Sequence, residues 1–547
     1  MTERRYLSHV LLTMLFTVVC VRGLAQIPDV EVQIVNPLKV SLPLMERDFD
    51  KIMVKPPEPV YPPLVYDVAP FLFTAPPYKP SLRPLKIRMP EIPTPRRGYV
   101  SLGFGNYTSP FAEAFFPVVS RKQSSANIRL HHHSFLTGPV DGRNSASGRT
   151  SVSLDYRSQG KTVLSEGLIS YRNNYSGFYG YAPGTETTRR EIAHGYNQVS
   201  AGWTVRPMSR KDASWRMMPA FSYLWDNLEA SEVDVSLGVV SGLQVGRQGK
   251  AELDGQYDVL ALEDEAVQAK PRHLAQFGGS YLFSPVTNID LKAGLRVTYE
   301  NDSLVKGDVH VYPMVEGKWR PSDKWVASLT FTGGVDKVSL HRLSAENLWL
   351  DRNLSVGHAN RLFDVGADVQ ASLGGGASAR AGVQYTSFAN QYFLVNSSFL
   401  GGDRARFEAI YDDAQRLDLF GVFDLQKGSA SVRWRGDWFG WNLSELAFAY
   451  HRPTWQSDLS AQFKIAQRLL VRPGWMLRGG IRALEDDGIT TITLKAANDL
   501  SLQMDYTFSE RGSVLIRGNN LLGQSYELYR HYPVRGVQVI AGLTWKF

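Results

Sequence analysis

The sequence has almost no cysteine and no apolar run long enough to form a membrane-spanning helix. Its 547 residues include one cysteine, Cys20, near the N-terminus. The longest apolar run, from Val10 to Val21, falls short of the roughly 20 residues that a transmembrane helix needs. These two shortages argue against a disulfide-stapled domain and against a helical membrane protein.

The N-terminus has the features of a secretory signal. Arg4 and Arg5 precede the short apolar run, and the small residues Gly23 and Ala25 follow it. This order of basic, apolar and small residues is typical of a signal peptide that is cleaved on export. We therefore predict that residues 1–25 are removed, that the mature chain begins at Gln26, and that any membrane insertion is through strands.

Proline is concentrated in the stretch that follows. Sixteen of the 29 prolines lie between Pro28 and Pro95. Such a density excludes helix and central strand and leaves an extended backbone. Apolar clusters at Val60–Tyr66 and Phe71–Phe73 are not needed in a free linker. We expect residues 26–97 to form an extended arm that packs in a barrel lumen or on a periplasmic partner, with a loosely ordered tether as the alternative.

From residue 98 onward, apolar and polar residues alternate. In the last segment one face of an extended strand would carry Val537, Val539, Ala541, Leu543, Trp545 and Phe547. The other face would carry Gln538, Ile540, Gly542, Thr544 and Lys546. A strand with lipid on one side and a water-filled lumen on the other has this pattern. Ile289–Tyr299 repeats it.

Short and long connections between the alternating segments themselves alternate. The short polar turns are expected at 158–161, 207–214, 246–250, 284–288, 321–324, 374–378, 426–429 and 509–512. The longer connections are expected at 175–193, 260–270, 334–361, 388–404 and 519–534. Short turns are typical of the periplasmic end of outer-membrane barrels and long loops of the extracellular end. For residues 98–547 the sequence predicts an all-β fold, a transmembrane antiparallel β-barrel of about 22 strands, with roughly 16 as the lower bound.

The most specific stretch, residues 518–536, resembles the end of TonB-dependent receptor barrels. There an Asn-Leu element is followed by a tyrosine-bearing loop, a Tyr-Pro pair, and a glycine before the final strand. The matching positions are Asn520, Leu521, Tyr526, Tyr532, Pro533 and Gly536. The resemblance implies a β-barrel located in the cell outer membrane.

The sequence also departs from that family. The proline-rich arm is shorter than the family's globular plug, and it has no recognisable plug motif or TonB box. TonB-driven import is therefore not implied. Because side chains alone cannot fill a barrel of this strand number, the arm, inward-folded loops or another protein must close the lumen.

The final strand also suggests an assembly signal. A chain that ends in an aromatic residue on such a strand resembles outer-membrane proteins whose terminal strand is recognised by the barrel assembly machinery. The candidate signal is the outward set Leu543, Trp545 and Phe547. The resemblance implies the assembly machinery as a partner during insertion.

The sequence gives no catalytic, metal or cofactor site. In a strand the middle residue of His131–His133 points away from the other two, and no cysteine or carboxylate cluster lies nearby, so a structural role is expected. Asp412, Asp413 and His451 could form a catalytic set only if the fold brought them together. We expect no enzymatic activity, no metal, no cofactor and no nucleic-acid partner.

Two functions remain open. The first is membrane transport by a receptor relative or passive channel. The second is a non-transporting subunit of an outer-membrane complex, whose arm docks periplasmic or lipoprotein subunits. Either barrel would be surrounded by outer-membrane lipids and lipopolysaccharide.

Overall fold

The structure, a computed structural model, describes residues 98–120, 123–208, 213–246, 249–267, 270–302 and 307–547. The expected signal peptide (1–25) and proline-rich arm (26–97) lie outside these residues. The described chain forms an antiparallel sheet of 22 strands and a separate two-stranded hairpin. The first barrel strand pairs with the second and with the last, so the sheet closes on itself. The predicted 22-stranded antiparallel barrel is confirmed.

Because the sheet closes, the backbone N–H and C=O groups of each barrel strand can pair with a strand on either side, and no sheet edge is left. The strands are numbered in chain order: β1 Tyr99–Gly105, β2 Ser109–Ser120, β3 Ser124–Phe135, β4 Ser147–Gln159, β5 Val163–Gly177, β6 Ala193–Pro207, β7 Ala213–Asp226, β8 Ser231–Val245, β9 Gly249–Glu263, β10 Arg272–Val286, β11 Ile289–Asn301, β12 Asp308–Ser322, β13 Trp325–Asp336, β14 Ala359–Gly374, β15 Ala377–Asn396, β16 Phe407–Lys427, β17 Ala430–Leu443, β18 Trp455–Ile465, β19 Leu469–Gly479, β20 Arg482–Leu484, β21 Thr491–Thr493, β22 Ala497–Thr507, β23 Gly512–Asn519 and β24 Gln538–Lys546. β20 and β21 form the separate hairpin, and β19 pairs directly with β22.

Helices are short and lie in the connections. Within the described residues, the two α-helices are Arg189–Ile192 and Leu340–Glu346, and the two 3₁₀ turns are Gly142–Ser145 and Ser397–Leu400. Among the described residues, no helix combines the length and the apolar character needed to cross a membrane.

The alternation predicted from the sequence is present in the strands. On β11, Leu295 is 58% exposed on the outer surface, whereas Thr298 and Glu300 are buried on the inner one. Large apolar side chains are exposed in the same way on β24. Apolar surface of this extent is unfavourable in water and favourable in lipid. The outer face of the barrel is therefore the lipid-facing face.

The two ends of the barrel differ in the length of their connections. At one end the strands are joined by short connections. The first residue of β1 and the last residue of β24 also lie at this end. In its β14–β15 turn, Gly374, Gly375 and Gly376 all have positive φ, between 62° and 84°, which favours glycine. A Cβ at Gly376 would lie 1.9 Å from the Gln426 carbonyl oxygen. The predicted glycine turn is confirmed, and we name this end the short-turn end.

The opposite end, named the long-loop end, carries the longer connections. They are residues 136–146, 178–192, 227–230, 264–271, 302–307, 337–358, 397–406, 444–454, 480–496 and 520–537. The expected loop at 388–404 is shorter than predicted, because β15 continues to Asn396 and β16 begins at Phe407. Phe393, Val395 and Phe407 are almost fully buried there, and their packing extends the two strands beyond the rest of the sheet.

Candidate functional site

The long loops pack against one another and the strand tops through several clusters of buried residues. We name the loops 178–192, 337–358, 397–406, 444–454, 480–496 and 520–537 together the loop cap. Its largest cluster of buried residues, which also includes the tops of neighbouring strands, is Tyr179, Tyr196, Leu224, Ala230, Leu262, Val338, Leu340, Leu343, Leu350, Leu354, Val356, Ala359, Tyr392, Leu394, Phe407, Ala409 and Tyr532. A core of this kind holds loops in one arrangement, as packing does in a soluble domain.

Three aromatic residues from separate loops meet at the centre of this cluster. The Trp349 ring stacks on the Tyr532 ring with centroids 3.8 Å apart, and Tyr179 packs edge-on against Tyr532 at 4.7 Å. The Trp349 indole N–H also donates to the Gly177 carbonyl at 3.1 Å. Aromatic pairs in these geometries add about 0.5–1.5 kcal/mol beyond the burial of their surface.

The position of these loops around the rim shows where they meet. The loop after β5 carries Tyr179, the loop after β13 carries Trp349, and the loop after β23 carries Tyr532. In the barrel order these three hairpins are separated by eight, eight and six strand positions. Loops that start at nearly equal intervals around a ring can touch one another only towards its middle. The aromatic contact therefore lies over the lumen.

A buried ion pair fixes loop 337–358 to the barrel wall. Glu232 on β8 and Arg272 on β10 are 2% and 3% exposed, and their closest charged atoms are 3.2 Å apart. The Glu232 carboxylate accepts hydrogen bonds from the backbone N–H groups of Leu340 at 3.0 Å and His341 at 3.2 Å. Arg272 donates to the Val338 carbonyl at 2.9 Å. We name these contacts the Glu232 latch.

A second cation supports the same loop. Lys337 lies 2.8 Å from a carboxylate oxygen of Asp234 and 2.8 Å from one of Asp258, on two neighbouring strands. The start of the loop is therefore attached to β8, β9 and β10, although the loop leaves the barrel from β13. This displacement carries the loop inward over the lumen.

The residues that matched the family pattern lie in loop 520–537. Asn520 is fully buried, and its side-chain amide donates to the carbonyls of Gln524 and Arg535, both at 2.8 Å. The hydroxyl of Tyr526 donates to Asp499 at 2.9 Å. These contacts tie the two ends of the loop to each other and to β22.

The other matched positions complete this loop. The Tyr532 hydroxyl donates to the Ala405 carbonyl in loop 397–406, and Pro533 forms an isolated bridge with Glu527. Leu521 packs over Gly518, and a Cβ at Gly536 would lie 3.1 Å from the Tyr107 hydroxyl. All six matched positions thus lie in the loop cap, where they have structural contacts.

The residues of the expected assembly signal lie elsewhere. Leu543, Trp545 and Phe547 occupy the outer face at the short-turn end and are at least half exposed. Their partner strand is β1, where Val100 is opposite Trp545. They form part of the lipid-facing surface at the line where the barrel closes.

The polar residues considered for chemistry have separate structural partners. Asp412 accepts hydrogen bonds from the backbone N–H groups of Glu445 and Leu446. His451 lies 2.7 Å from the Leu394 carbonyl and accepts from the Arg530 N–H at 3.2 Å. Burial lowers the pKa of His451 to about 4, so this side chain is neutral at pH 7.

The histidine run of β3 also has local partners. His132 lies 2.8 Å from the Thr150 hydroxyl, and His133 lies 3.1 Å from the Ser109 hydroxyl. Phe111 packs against both His131 and His133. Across the part of the chain that the structure describes, no group of three or more His, Cys, Asp or Glu side chains is placed to hold a metal ion.

The lumen wall below the cap is lined by paired charges. Many inward-facing cations contact a carboxylate on the same strand or on a strand one or two positions away, as in Arg435–Asp437, Arg416–Asp418, Arg380–Asp368, Lys292–Glu252, Arg296–Asp254 and Arg472–Asp505. Between β14 and β17 such pairs line a concavity of about 410 Å³, in which Arg380 and Arg435 both lie over the Phe420 ring. The wall is polar, as the alternation predicts.

Inward-folded loops were one of the three predicted means of closing the lumen, but neither their mutual contacts nor the Glu232 latch was predicted from the sequence. A usable signal was present in the predicted loop 334–361, whose short segment 340–350 contains Leu340, Leu343, Leu348, Trp349 and Leu350. Apolar residues at this density are unfavourable in a solvated loop and indicate that the loop packs on something. The partner could not be named from the sequence, because it lies in distant loops.

Comparison with known proteins identifies the fold. No protein-family model matches the chain, and no curated protein matches its sequence. Solved structures that match include the FrpB iron transporter of Neisseria meningitidis, with a TM-score of 0.63 at 9% identity, covering 82% of this chain and 81% of that one. The siderophore receptor PirA of Acinetobacter baumannii matches with a TM-score of 0.62 at 10% identity, covering 82% and 80%.

The ferric-catecholate import receptor Fiu of E. coli, in a closed form, is similar too. Its TM-score is 0.61 at 8% identity, and the match covers 83% of this chain and 82% of that chain. By name these proteins are a transporter and two receptors, not enzymes. The resemblance to TonB-dependent receptor barrels is thus confirmed at the level of fold, and the protein is an outer-membrane β-barrel. Similarity at this identity does not transfer a ligand.

Proposed function

We propose that the protein is a capped, non-conducting outer-membrane barrel that serves as a subunit of an outer-membrane complex. The observation that carries the proposal is the contact of Tyr179, Trp349 and Tyr532 over the lumen. A 22-stranded barrel without a filling would leave a wide aqueous channel. Loops held together by an aromatic core and a buried ion pair obstruct that channel from the long-loop end.

Opening the loop cap would have a large free-energy cost. Separating the three loops would expose their aromatic rings to water, at about 25 cal/mol for each Å² of apolar surface. It would also disturb the Glu232 latch, and breaking one partner of a buried ion pair costs about 3–5 kcal/mol. Passive opening of the cap by thermal motion should therefore be rare.

Gated transport is the second candidate, and the fold similarity favours it. FrpB is an iron transporter and Fiu is a ferric-catecholate import receptor, and both share this barrel architecture. In this version the cap would open only when a ligand or an energised partner supplied the necessary free energy. The two candidates agree that the resting barrel does not conduct.

The outer face, the terminal strand and the proline-rich arm each suggest a partner. The apolar outer face is suited to outer-membrane lipids and lipopolysaccharide, and the terminal strand to the barrel assembly machinery. We propose that the proline-rich arm, residues 26–97, docks periplasmic or lipoprotein subunits or adds to closure of the lumen. Its sequence, with aromatic clusters among prolines, supports this role.

Conductance in planar bilayers tests the proposal. The full-length mature protein should be silent, and the double variant Trp349→Ala with Tyr532→Ala should give discrete channel openings. Trp438→Ala is the matched control, because this residue is exposed on the outer face of β17 and should leave the protein silent. Heat-modified gel mobility verifies that each variant is folded.

The same recordings on a protein without residues 26–97 distinguish the cap from the arm. If only loss of the arm produces current, the arm closes the lumen and the cap does not. A large, steady current from the unmodified protein would refute a capped barrel and identify a passive channel. Silent protein that co-purifies with periplasmic or lipoprotein subunits supports the complex role, whereas ligand-dependent current supports gated transport.

A further inference from the structure

A second concavity of the lumen wall lies at the short-turn end, next to the line where β1 and β24 close the barrel. Its volume is about 530 Å³, and residues of β1, β2, β18, β19 and β22–β24 line it. The short side chains of Ser101, Ser513 and Thr544 leave space between larger neighbours, and the hydroxyls of Ser101 and Thr544 are 2.8 Å apart. We name this concavity the seam pocket.

The seam pocket has an excess of positive charge. Five cations line it, against two carboxylates: the cations are Lys464, Arg468, Arg472, Arg517 and Lys546, and the carboxylates are Glu113 and Asp505. Both carboxylates already have partners, because Asp505 lies 2.9 Å from Arg472 and Glu113 accepts a hydrogen bond from the Tyr99 hydroxyl. In the described part of the chain, no carboxylate forms an ion pair with the other four cations.

This excess is local. Around the concavity between β14 and β17, three arginines are matched by three aspartates. The same holds for many other inward-facing cations, which lie within 4 Å of a carboxylate. Unbalanced positive charge at one place in a concave wall attracts anions, since the low-dielectric wall concentrates the field there.

The arrangement of the cations suits a ligand with more than one negative group. Arg472 on β19 is directly opposite Gln503 on β22, and Gln503 is directly opposite Arg517 on β23. Two strand spacings, about 10 Å, therefore separate the backbones that carry the two arginines. Lys546 is opposite Tyr99 at the end of the adjoining strand pair. Flexible Arg and Lys side chains can converge from these positions on one polyanion.

Arg517 provides a second, independent observation. Its guanidinium lies 4.9 Å from the centre of the Phe111 ring, which holds the side chain in place. Its Nε atom is buried and has no hydrogen-bond partner among the described residues. A buried donor without an acceptor is unfavourable, because it has lost its hydrogen bonds to water. An anion in the pocket would supply negative charge beside this group.

We propose that the seam pocket binds a soluble polyanion that carries several phosphate groups. The pocket faces the lumen and not the lipid, so its ligand is a free anion and not a lipid headgroup. In barrels of this kind the short-turn end is the periplasmic end, and the ligand would enter from there. The proposal rests on residues outside the loop cap and does not depend on whether the barrel transports.

Calorimetric titration of the full-length mature protein in neutral detergent tests the proposal, with inorganic tripolyphosphate as the probe. Binding should be saturable at low salt and should weaken as the salt concentration rises, because salt screens exposed charges. Arg517→Gln and Lys546→Gln should each weaken binding about fivefold to tenfold. Arg433→Gln is the matched control, since Arg433 is an exposed lumen cation that pairs with Asp424 in the other concavity.

Each outcome bears on the proposal. Saturable binding that is weakened in the two seam-pocket variants and unchanged in the control supports it. Absence of saturable tripolyphosphate binding overturns it, and so does an equal loss in the control, which would indicate general charge attraction. Saturable binding of polyglutamate without binding of tripolyphosphate would also overturn it and would identify the pocket as a docking site for an acidic polypeptide. Gel mobility of each variant confirms the folded barrel.

Discussion

At the residue scale, Glu232 has the largest expected effect on the loop cap. Its carboxylate is buried, neutralises Arg272, and accepts two backbone N–H groups at the start of the helix Leu340–Glu346. Glu232→Gln keeps the shape but leaves Arg272 buried without a counter-charge. We expect the free energy of unfolding to fall by about 3–5 kcal/mol. Urea titration in lipid vesicles measures it, and protease cleavage within 337–358 reports on the loop itself.

A neighbouring pair provides the control. Arg352 lies 2.8 Å from Glu265 in the same region, but both side chains are substantially exposed. Exposed pairs contribute about 0–1 kcal/mol, so Glu265→Gln should change the stability little. If the two variants lost the same stability, burial of the Glu232 latch would not be the reason for its effect.

The stability of the loop cap depends on pH because of its buried histidines. Burial lowers the pKa values of His451 and His358 to about 4, from an ordinary value of 6.5. Between pH 6.5 and about 4 the unfolded chain binds protons that the folded cap does not. Their contribution to stability is thus complete above pH 6.5 and is lost as the pH falls.

We therefore expect the loop cap to weaken in acid. Going from pH 7 to pH 4 should reduce the stability by up to about 3 kcal/mol for each histidine. Hydrogen exchange in loop 444–454 at the two pH values measures this loss. In His451→Gln the dependence should be smaller, since this side chain does not titrate. An unchanged pH profile in the variant would contradict the assignment.

At the element scale, the terminal strand β24 has two roles, one of them already visible in the fold. It closes the barrel by pairing with β1, and the Phe547 N–H donates to the Gly98 carbonyl at 3.0 Å. The second role, as an assembly signal, stays a prediction. Deletion of Phe547 should lower the amount of barrel in the membrane several-fold, while the stability of the inserted protein changes little. Quantitative blots of outer-membrane fractions, with urea titration of the purified protein, separate the two effects.

The control for this deletion is Trp438→Ala, which removes another exposed outer-face aromatic ring, from β17. It should leave the membrane level near that of the unmodified protein. Normal levels after loss of Phe547, or an equal drop in both variants, would show that the last residue has no special role in assembly.

At the scale of the whole molecule, a wide barrel needs more than its own wall side chains for closure. The loop cap lies over the lumen at the long-loop end, and in the sequence the proline-rich arm directly precedes β1. We expect the arm to be protected from limited proteolysis, because its apolar clusters at 60–66 and 71–73 are unfavourable in water without a packing partner. Mass spectrometry of the fragments locates every cut.

Three results of that digestion have different meanings. Protection in the isolated protein places the arm on the barrel. Protection only in native membranes, where partners are present, indicates a docking arm. Rapid cleavage throughout residues 26–97 in both samples would show that the arm is only a tether.

The sequence by itself determined the barrel. In each strand, neighbouring residues predict which face contacts lipid and which faces the lumen, as Leu295 and Arg296 do on β11. This is possible because alternation is a local property of an extended chain. Turn chemistry is equally local, and Gly374–Gly376 predicts its turn without knowledge of the rest of the fold. Counting faces and turns was therefore sufficient to give 22 strands and the two ends.

Only the tertiary structure decided what covers the lumen and where charge is left unpaired. Tyr179, Trp349 and Tyr532 come from three distant parts of the chain, and nothing local to each indicates the others. Their meeting depends on closure of the ring, which sets the position of every hairpin on the rim. The same holds for the seam pocket, where Lys546 and Tyr99, from opposite ends of the barrel segment, become neighbours. Contacts of this kind are set by long-range geometry, and no local pattern in the sequence specifies them.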